Sequence, residues 1–235
     1  KIKFAIDKIL PMRPNNYTVK RIAIVGFGSI GQRHFRILKK IRPNIELVLI
    51  RSREGKKNIN KNKAKYFYNN IRDIKFKIDG AIICSPAPFH LAHAQEFIKR
   101  KIPTLIEKPL SSDLKDIKYF RSISNKFNAL ILVGYVLRYS RSLNFFNKLV
   151  ISLKVGKPIV ANIRCTSYLP NWRSKKNYRK SVSASSSLGG GVLLELSHEL
   201  DYSNWIFGHF MKIHSILDNS NKLDIDVEDS AYLNL

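Results

Sequence analysis

The stretch RIAIVGFGSIGQRHFRILKK, residues 21–40, decides the fold of this chain. Its first five residues are an apolar run typical of a buried strand, and apolar residues then recur at helical spacing from Ser29 to Lys40. Between the two lies GFGSIG, which matches the pattern G-x-G-x-x-G through Gly26, Gly28 and Gly31. A strand, this loop and a helix in direct succession predict a phosphate-binding turn at the start of a doubly wound sheet.

Each residue of this loop has its own expected task. Gly26 permits the tight turn, Gly28 lets the backbone approach a pyrophosphate, and Gly31 lets the helix pack on the strand. Ser29 and Ile30 would present the N–H groups of the first helical turn to that pyrophosphate. A glycine-rich turn without a ligand is the alternative, but the position of the loop between a strand and a helix favours a dinucleotide.

Strands and helices continue to alternate after this loop. The predicted elements are strands at 45–50, 81–84, 104–106 and 129–133, and helices at 90–100 and 113–127. Ser112 is the expected N-cap of the last of these helices. The alternation predicts an α/β fold with a Rossmann-type, doubly wound parallel sheet over residues 21–139, preceded by a lead-in segment at 1–20.

The pattern changes after Tyr139, so residues 140–235 are predicted to form a second, substrate-binding and oligomerisation domain of α+β class with a mostly antiparallel sheet. Its predicted elements are a helix near 141–152, a strand at 159–168, a long loop at 168–188, a helix at 192–208 and strands near 211–217 and 230–235. The chain begins with Lys and stops inside the alternating pattern AYLNL. We therefore expect this domain to be C-terminally incomplete.

Composition restricts the class of protein and its partners. Lys and Arg number 42 against 17 Asp and Glu, which would attract phosphate groups of any kind. The basic residues are scattered among Asn and Ile and no RNA-binding motif is present, so a nucleic-acid partner is disfavoured. Cys84 and Cys165 have neither metal-site nor disulfide spacing, and no apolar run is long enough to cross a bilayer. We expect a cytoplasmic protein without a metal or a membrane partner.

The residues after the second strand bear on the choice of cofactor. At the position where an NAD-binding fold usually places an acid for the ribose 2′-hydroxyl, this chain has Arg51, Ser52 and Arg53. Guanidinium groups and a hydroxyl suit a 2′-phosphate, so NADP(H) is predicted over NAD(H). The alternative is that an exposed arginine has no such task in so basic a chain.

Two further motifs follow predicted strands, at the edge where open α/β sheets bind ligands. SPAPFH places Ser85, Pro86 and His90 after the strand at 81–84, and IEKPL places Glu107 and Lys108 after the next strand. We expect these five residues to line the cofactor. Alternatively, Glu107 and Lys108 form a solvated salt bridge and His90 is an ordinary residue at a helix start.

The stretch GGGVLLELSHELDY, residues 189–202, predicts a histidine surrounded by acids on one helix. At about 100° per residue, one face holds Glu195, His198, Glu199 and Tyr202, with Asp201 beside it. The buried stripe is predicted to be Leu193, Leu196, Leu200 and Phe207. Neighbouring carboxylates stabilise an imidazolium and orient the ring, which suits a histidine that accepts a proton. A solvated helix face is the alternative, and the three glycines predict a close backbone approach.

The order GFGSIG, SPAPFH, EKP, VGYVLR and GGGVLLELSHELDY resembles the glucose-fructose oxidoreductase / inositol dehydrogenase (Gfo/Idh/MocA) family, from about Arg21 to Leu235. The resemblance implies NAD(P)-dependent hydride transfer at a secondary hydroxyl or keto group of a sugar or nucleotide sugar. It also implies a homo-oligomer when the protein is full length. YLPNW, SAS and ELSHELDY further resemble a branch linked to bacterial surface-polysaccharide sugars.

The resemblance implies that Lys108 and His198 work at the substrate hydroxyl, with Glu195 and Asp201 as further catalytic residues. The family's helix pattern D-x-x-x-H-x-x-D is not kept in full, because Leu194 stands four positions before His198. Glu195 is therefore expected either to reach the substrate from a shifted angle or to orient His198.

The loop after the predicted strand at 159–168 supplies candidate substrate contacts. Tyr168 and Trp172 could stack against a sugar, and Arg173 could contact a phosphate or carboxylate, although ordinary packing of the aromatic residues is equally compatible with the sequence. The alternative function for the whole chain is a non-enzymatic NADP(H)- or metabolite-binding protein of the same fold.

Overall fold

The computed structural model describes residues 19–51, 64–173 and 177–235, with only the backbone of Arg173. The chain divides into two compact units, Lys1–Gly134 and Tyr135–Leu235. Most of the predicted lead-in segment, together with Ser52 and Arg53, lies outside the described residues.

The first unit is built on a six-stranded parallel sheet. Its strands are β1 (Arg21–Val25), β2 (Glu46–Ile50), β3 (Tyr66–Tyr68), β4 (Gly80–Ile83), β5 (Thr104–Ile106) and β6 (Ile131–Val133). They pair in the order β3-β2-β1-β4-β5-β6, and every pair is parallel. This order is that of the doubly wound fold, with ligands bound at the carboxyl ends of the strands. The predicted fold class is confirmed.

Helices connect these strands and bury their apolar faces on the sheet. They are α1 (Ser29–Ile41), α2 (His90–Ile98) and α3 (Ile117–Phe127). The strands read as continuous apolar runs because both faces of a parallel sheet are covered. Phe97 and Ile98 of α2 are fully buried in the core against strands β4 and β5.

The predicted start of α3 was wrong. The helix begins at Ile117 rather than at residue 113, and Asp116 before it has a left-handed backbone with φ +63°. The Asp113 carboxylate accepts a hydrogen bond from the backbone N–H of Lys115 at 2.7 Å, forming a local turn that competes with the helix. Ser112 therefore does not cap it.

The second unit contains three helices and one antiparallel pair of strands in its described residues. The elements are α4 (Arg141–Ile151), α5 (Val192–Glu195), α6 (Ser197–Phe207), β7 (His214–Asp218) and β8 (Ser230–Asn234). The predicted loop at 168–188 contains short 3-10 turns in its described part, from Leu169–Arg173 to Ser186–Leu188.

The strand predicted at 159–168 is absent. The segment has no regular secondary structure and its side chains are exposed, with Ile159 at 96%. Alternating apolar residues favour a strand, but a strand forms only where a second one shares its backbone hydrogen bonds. Within the described residues, no strand pairs with this segment.

The single helix predicted at 192–208 is two helices. Leu196 leaves the helical conformation, with φ −97° and ψ 22°, so Glu195 ends α5 while His198 belongs to α6. The predicted buried stripe was also wrong, since Phe207 is 39% exposed and the buried residues of α6 are Ser197, Ser203 and Ile206. Helical spacing continues in phase across a one-residue break, so periodicity did not indicate it.

Candidate functional site

The glycine loop between β1 and α1 has the geometry expected of a phosphate-binding turn. Gly26 has φ +86°, and a Cβ there would lie 2.7 Å from the carbonyl carbon and oxygen of Cys84. A Cβ at Gly31 would overlap the carbonyl oxygen of Gly26, so the helix packs directly on the turn. A Cβ at Gly28 would meet nothing within 4 Å. Two glycines thus close the turn, and the third faces open space.

The start of α1 fits an anionic group. Gly28 is the N-cap residue and supplies no side-chain cap, and the first turn contains no acidic residue. The backbone N–H groups of the first turn, including those of Ser29 and Ile30, have no partner within the helix by its geometry. These groups and the helix dipole would favour a pyrophosphate beside Gly28.

Arg51 directly follows β2, next to the strand that leads into the glycine loop. Its backbone N–H donates to the carbonyl oxygen of Tyr68 at 2.9 Å, which fixes the backbone where β2 ends. Its side chain is half-buried. Since β1 and β2 are paired, Arg51 starts from the same sheet edge as the glycine loop.

His90 lies beneath the loop that follows β4 rather than on its surface. The residue is 1% exposed. Its Nε2 is 2.7 Å from the carbonyl oxygen of Ser85, and its Nδ1 is 2.8 Å from that of Pro109. The neighbouring His93 holds the same loop through the Ser85 hydroxyl, 2.9 Å from its Nδ1. His90 therefore connects the loop after β4 to the loop after β5. Pro86 precedes a short 3-10 turn, Ala87–Phe89, that leads into α2.

Glu107 and Lys108 follow β5, and Glu107 has a partner that the sequence analysis did not identify. Nε2 of His34, on α1, lies 2.6 Å from Oε1 of Glu107. The other oxygen, Oε2, accepts a 3.3 Å hydrogen bond from the backbone N–H of Lys108. Gly134 leaves room for this carboxylate, since a Cβ there would lie 3.0 Å from Oε2. No pattern in the sequence indicates that His34 pairs with Glu107.

In the second unit, His198 packs against an aromatic ring. The ring centroids of His198 and Tyr135 are 5.6 Å apart in an edge-to-face arrangement, and Nδ1 of His198 is buried. Burial raises the pKa of the Tyr135 hydroxyl. Tyr135 and α6 together fix the plane of the imidazole.

Asp201, predicted to lie beside the acidic face, pairs with an arginine. Asp201 accepts two 2.8 Å hydrogen bonds from Arg138, one from Nε and one from Nη2. The guanidinium of Arg138 also lies 5.7 Å from the ring centroid of Trp205. The hydrogen bond to Asp201 raises the pKa of Arg138. Asp201 thus anchors α6 to the turn containing Arg138.

Glu195 and Glu199 also contact groups other than the imidazole. The hydroxyl of Ser183 donates to Oε1 of Glu195 at 2.6 Å, which ties the end of α5 to the preceding 3-10 turn. Glu199 lies near the thiol of Cys165 and the hydroxyl of Tyr202, and burial followed by this carboxylate raises the pKa of both. Each of these two glutamates therefore has a contact outside its own helix.

The glycines before α5 allow the close approach that the sequence predicted. A Cβ at Gly190 would lie 2.5 Å from the carbonyl oxygen of Val182. Gly191 has φ +101°, and a Cβ there would overlap the carboxylate of Glu228. Oε1 of Glu228 accepts a 3.0 Å hydrogen bond from the backbone N–H of Leu193 and so caps α5. The sequence analysis did not identify Glu228.

The three predicted substrate contacts lie in and before the first 3-10 turn of this loop. Tyr168 is 61% exposed, and Trp172 is 39% exposed with its indole N–H donating to the hydroxyl of Ser167 at 2.6 Å. Arg173 ends the same turn. Both aromatic rings are thus accessible on the surface of the second unit.

The described residues contain neither a helix that could span a membrane nor a metal-binding cluster. No helix there combines the length and the apolar character that a bilayer span requires. Over the same part of the chain, no cluster of three or more His, Cys, Asp or Glu side chains is arranged to hold a metal ion.

The first unit matches a known protein family. Residues 20–135 match the model of an oxidoreductase family with an NAD-binding Rossmann fold, Gfo/Idh/MocA. The chain is 28% identical over 195 residues to the myo-inositol 2-dehydrogenase of Thermotoga maritima, a match that covers 80% of this chain and 55% of that protein. It is 25% identical over 185 residues to the glucose-6-phosphate 3-dehydrogenase of Bacillus subtilis, covering 73% and 51%. The chain spans about half the length of these curated relatives.

A solved structure supports the fold over a larger share of the chain. The WlbA dehydrogenase of Chromobacterium violaceum, determined in complex with NADH and UDP-GlcNAcA, matches with a TM-score of 0.78 at 18% identity. The match covers 95% of this chain and 65% of the other. At this identity the likeness concerns the fold.

Proposed function

Residues 20–135 belong to the Gfo/Idh/MocA family of oxidoreductases, and from that premise we propose that the protein is a nicotinamide-dinucleotide-dependent dehydrogenase or reductase. Its substrate would carry a secondary hydroxyl or keto group on a sugar or nucleotide sugar. The observation that carries the proposal is the carboxyl edge of the sheet, where Gly28 faces open space at an uncapped helix start and Lys108 follows β5.

The activities of the relatives support the substrate class. A myo-inositol 2-dehydrogenase and a glucose-6-phosphate 3-dehydrogenase both act on polyhydroxylated rings, and the WlbA structure contains a nucleotide sugar. We extend this class to the present chain. Tyr168 and Trp172, both accessible, would stack on the apolar face of the ring, and Arg173 would contact a phosphate or carboxylate.

We assign the proton chemistry to two residues. A bound dinucleotide would supply the hydride acceptor for oxidation, a function that no side chain offers. Nε2 of His198 would take the hydroxyl proton, because Nδ1 is buried and Tyr135 holds the ring plane. Nζ of Lys108 would donate a hydrogen bond to the same substrate oxygen as negative charge develops on it.

The carboxylates would act through position rather than by direct contact with the substrate. Asp201 would keep α6 in place through Arg138, and Glu195 would fix the end of α5 through Ser183. Glu107 would hold the backbone of Lys108.

For the cofactor we propose a preference for NADP(H), with Arg51, Ser52 and Arg53 at the 2′-phosphate. Arg51 starts from the sheet edge that carries the glycine loop. A fluorescence titration with NADPH and with NADH, run beside Arg51→Asp, tests this. We expect tighter binding of NADPH by the wild type and a reversed order in the variant. Equal affinities for NADPH and NADH in both proteins would contradict the preference for NADP(H) but would still support a dinucleotide site.

Turnover is tested next by a screen of sugars, inositols and nucleotide sugars with the preferred cofactor. His198→Ala and Lys108→Ala should each lower kcat by about 100-fold or more, whereas the exposed Lys99→Ala should not change it. Tight cofactor binding without turnover on any of these compounds would favour the alternative, a non-enzymatic dinucleotide-binding protein.

A further inference from the structure

Two buried histidines hold the residues on either side of Lys108. His34 contacts Glu107, the residue before the lysine, and His90 contacts Pro109, the residue after it. Each histidine is 1% exposed. We call the pair, His34 and His90, the histidine clamp.

The first arm of the clamp comes from the helix of the glycine loop. His34 lies one turn after Gly31 on α1, and its Nε2 is 2.6 Å from Oε1 of Glu107. The second oxygen of that carboxylate accepts from the backbone N–H of Lys108. A short chain of contacts therefore joins the helix that would bind phosphate to the backbone of the lysine.

The second arm comes from the start of α2. The ring nitrogens of His90 lie 2.8 Å from the carbonyl oxygen of Pro109 and 2.7 Å from that of Ser85. Carbonyl oxygens only accept, so a protonated ring donates to both loops, whereas a neutral ring donates to one loop and turns the lone pair of its other nitrogen toward the second carbonyl. His90 thereby spans the loops after β4 and β5.

Packing alone does not account for the clamp. An imidazole removed from water costs free energy unless its nitrogens find partners, and an apolar side chain would fill the same space without that cost. Here the polar contacts of both rings reach the neighbours of one lysine, from two different helices. The contacts thus fix the backbone from Glu107 to Pro109 and with it the direction in which Lys108 leaves the chain.

We propose that His34 and His90 are positioning residues for Lys108. The proposal depends on the proposed function only because that function assigns Lys108 a hydrogen bond to the substrate oxygen. The structural claim concerns the loop itself and can be measured without a substrate.

The experiment is site-resolved acetylation of the whole chain, with the rate at Lys108 followed by mass spectrometry. His34→Gln and His90→Gln are compared with the wild type and with Thr104→Val. Thr104 is equally buried at the other end of β5, and its hydroxyl donates to Ile102, so that variant removes a buried hydrogen bond without touching the loop. The exposed Lys99 and Lys101 serve as internal references in each digest.

We expect labelling of Lys108 to accelerate about fivefold in each histidine variant, as for the loss of one hydrogen bond that holds a loop. Lys99 and Lys101 should label at unchanged rates, and Thr104→Val should match the wild type. An unchanged rate at Lys108 in both folded histidine variants would overturn the proposal.

A measurement on the wild type covers the case in which a variant fails to fold. Nitrogen-15 spectra of the histidine side chains should show slowly exchanging ring N–H protons for His34 and His90. Rapid exchange of both rings with solvent would refute the clamp. Titration of the same sample with NADPH and with NADH separates the two proposals, because failure to bind either one contradicts the proposed function and leaves the labelling result intact.

Discussion

At the scale of single residues, the pair formed by Arg138 and Asp201 is the ion pair with the closest link to the proposed chemistry. The carboxylate is 11% exposed and accepts two hydrogen bonds from one guanidinium, a geometry that fixes direction as well as distance. Because Asp201 lies on α6 three residues after His198, the pair anchors the helix that carries the histidine. Loss of this pair should therefore lower the free energy of unfolding more than it changes the rate of the reaction.

Asp201→Asn should lower the free energy of unfolding by about 1–3 kcal/mol, since the guanidinium of Arg138 loses its charged partner. Urea unfolding followed by circular dichroism measures the change. Asp224→Asn is the matched control, because its ion pair with Arg179 is 83% exposed on the carboxylate side and should contribute less than about 1 kcal/mol. Equal losses in the two variants would show that the Asp201 pair has no special role.

Gly28→Ala separates folding from cofactor binding. Gly28 has φ −69°, which any residue adopts, and open space where its Cβ would be. We expect an unchanged midpoint of thermal unfolding and an affinity for NADH reduced at least about tenfold, because the methyl group would occupy the place of the pyrophosphate.

Gly31→Ala is the contrasting variant. Its Cβ would overlap the carbonyl oxygen of Gly26, so this change should destabilise the fold itself. If Gly28→Ala bound NADH as well as the wild type does, the pyrophosphate would not lie at this turn.

At the scale of secondary structure elements, helix α2 should make stability depend on pH. Burial lowers the pKa of both His90 and His93, and the carbonyl contacts of His90 oppose the shift only in part. Glu107 raises the pKa of His90, Lys108 lowers it, and His90 in turn lowers that of His93. The folded state therefore favours the neutral rings.

In the unfolded chain a histidine titrates near about pH 6.5. Below that value the unfolded state binds more protons than the folded state does, so the free energy of unfolding should fall as the pH falls. Urea unfolding at about pH 7.5 and about pH 5.5 measures this decrease. The decrease should be smaller in His90→Gln, and an identical decrease in that variant would assign the effect to other groups.

The elements also show what the sequence could predict. Strands β1 and β5 were predicted to the residue, and β2, β4 and β6 nearly so, because a parallel strand is a buried apolar run bounded by turns. The short strand β3 was not predicted. The break at Leu196 and the late start of α3 were missed, because each depends on local side-chain contacts, those of Glu195 and Asp113. Periodicity reports which face is apolar and carries no information about such contacts.

Part of the candidate site could also be predicted from the sequence. The spacing predicted the glycine loop and the positions of Ser85, Glu107 and Lys108 after their strands, because parallel strands bring their carboxyl ends to one edge. The partners of the site residues did not follow, since His34 and Arg138 lie far in sequence from Glu107 and Asp201. A contact between polar residues that are far apart in sequence leaves no recognisable pattern in the residues around either partner.

At the scale of the whole molecule, the formal charge of +25 should oppose folding through repulsion between like charges. Raising the NaCl concentration from about 0.05 M to about 0.5 M screens this repulsion and should raise the midpoint of thermal unfolding. A non-electrolyte at the same osmolality is the control. A midpoint that does not respond to salt would indicate that bases and acids are well interspersed.

A homo-oligomer, a cytoplasmic location and the absence of a nucleic-acid partner stay predictions.

The contact between Gly26 and Cys84 offers a direct way to observe the glycine loop. Cys84 is buried under the turn, and burial raises the pKa of its thiol well above the usual value, so alkylating reagents should reach it only when the turn opens. Cys165 is exposed and should therefore react before Cys84 does. The rate of the second, slow phase of alkylation would therefore report how often the glycine loop opens. Any ligand held by the loop should lower this rate without contacting the sulfur.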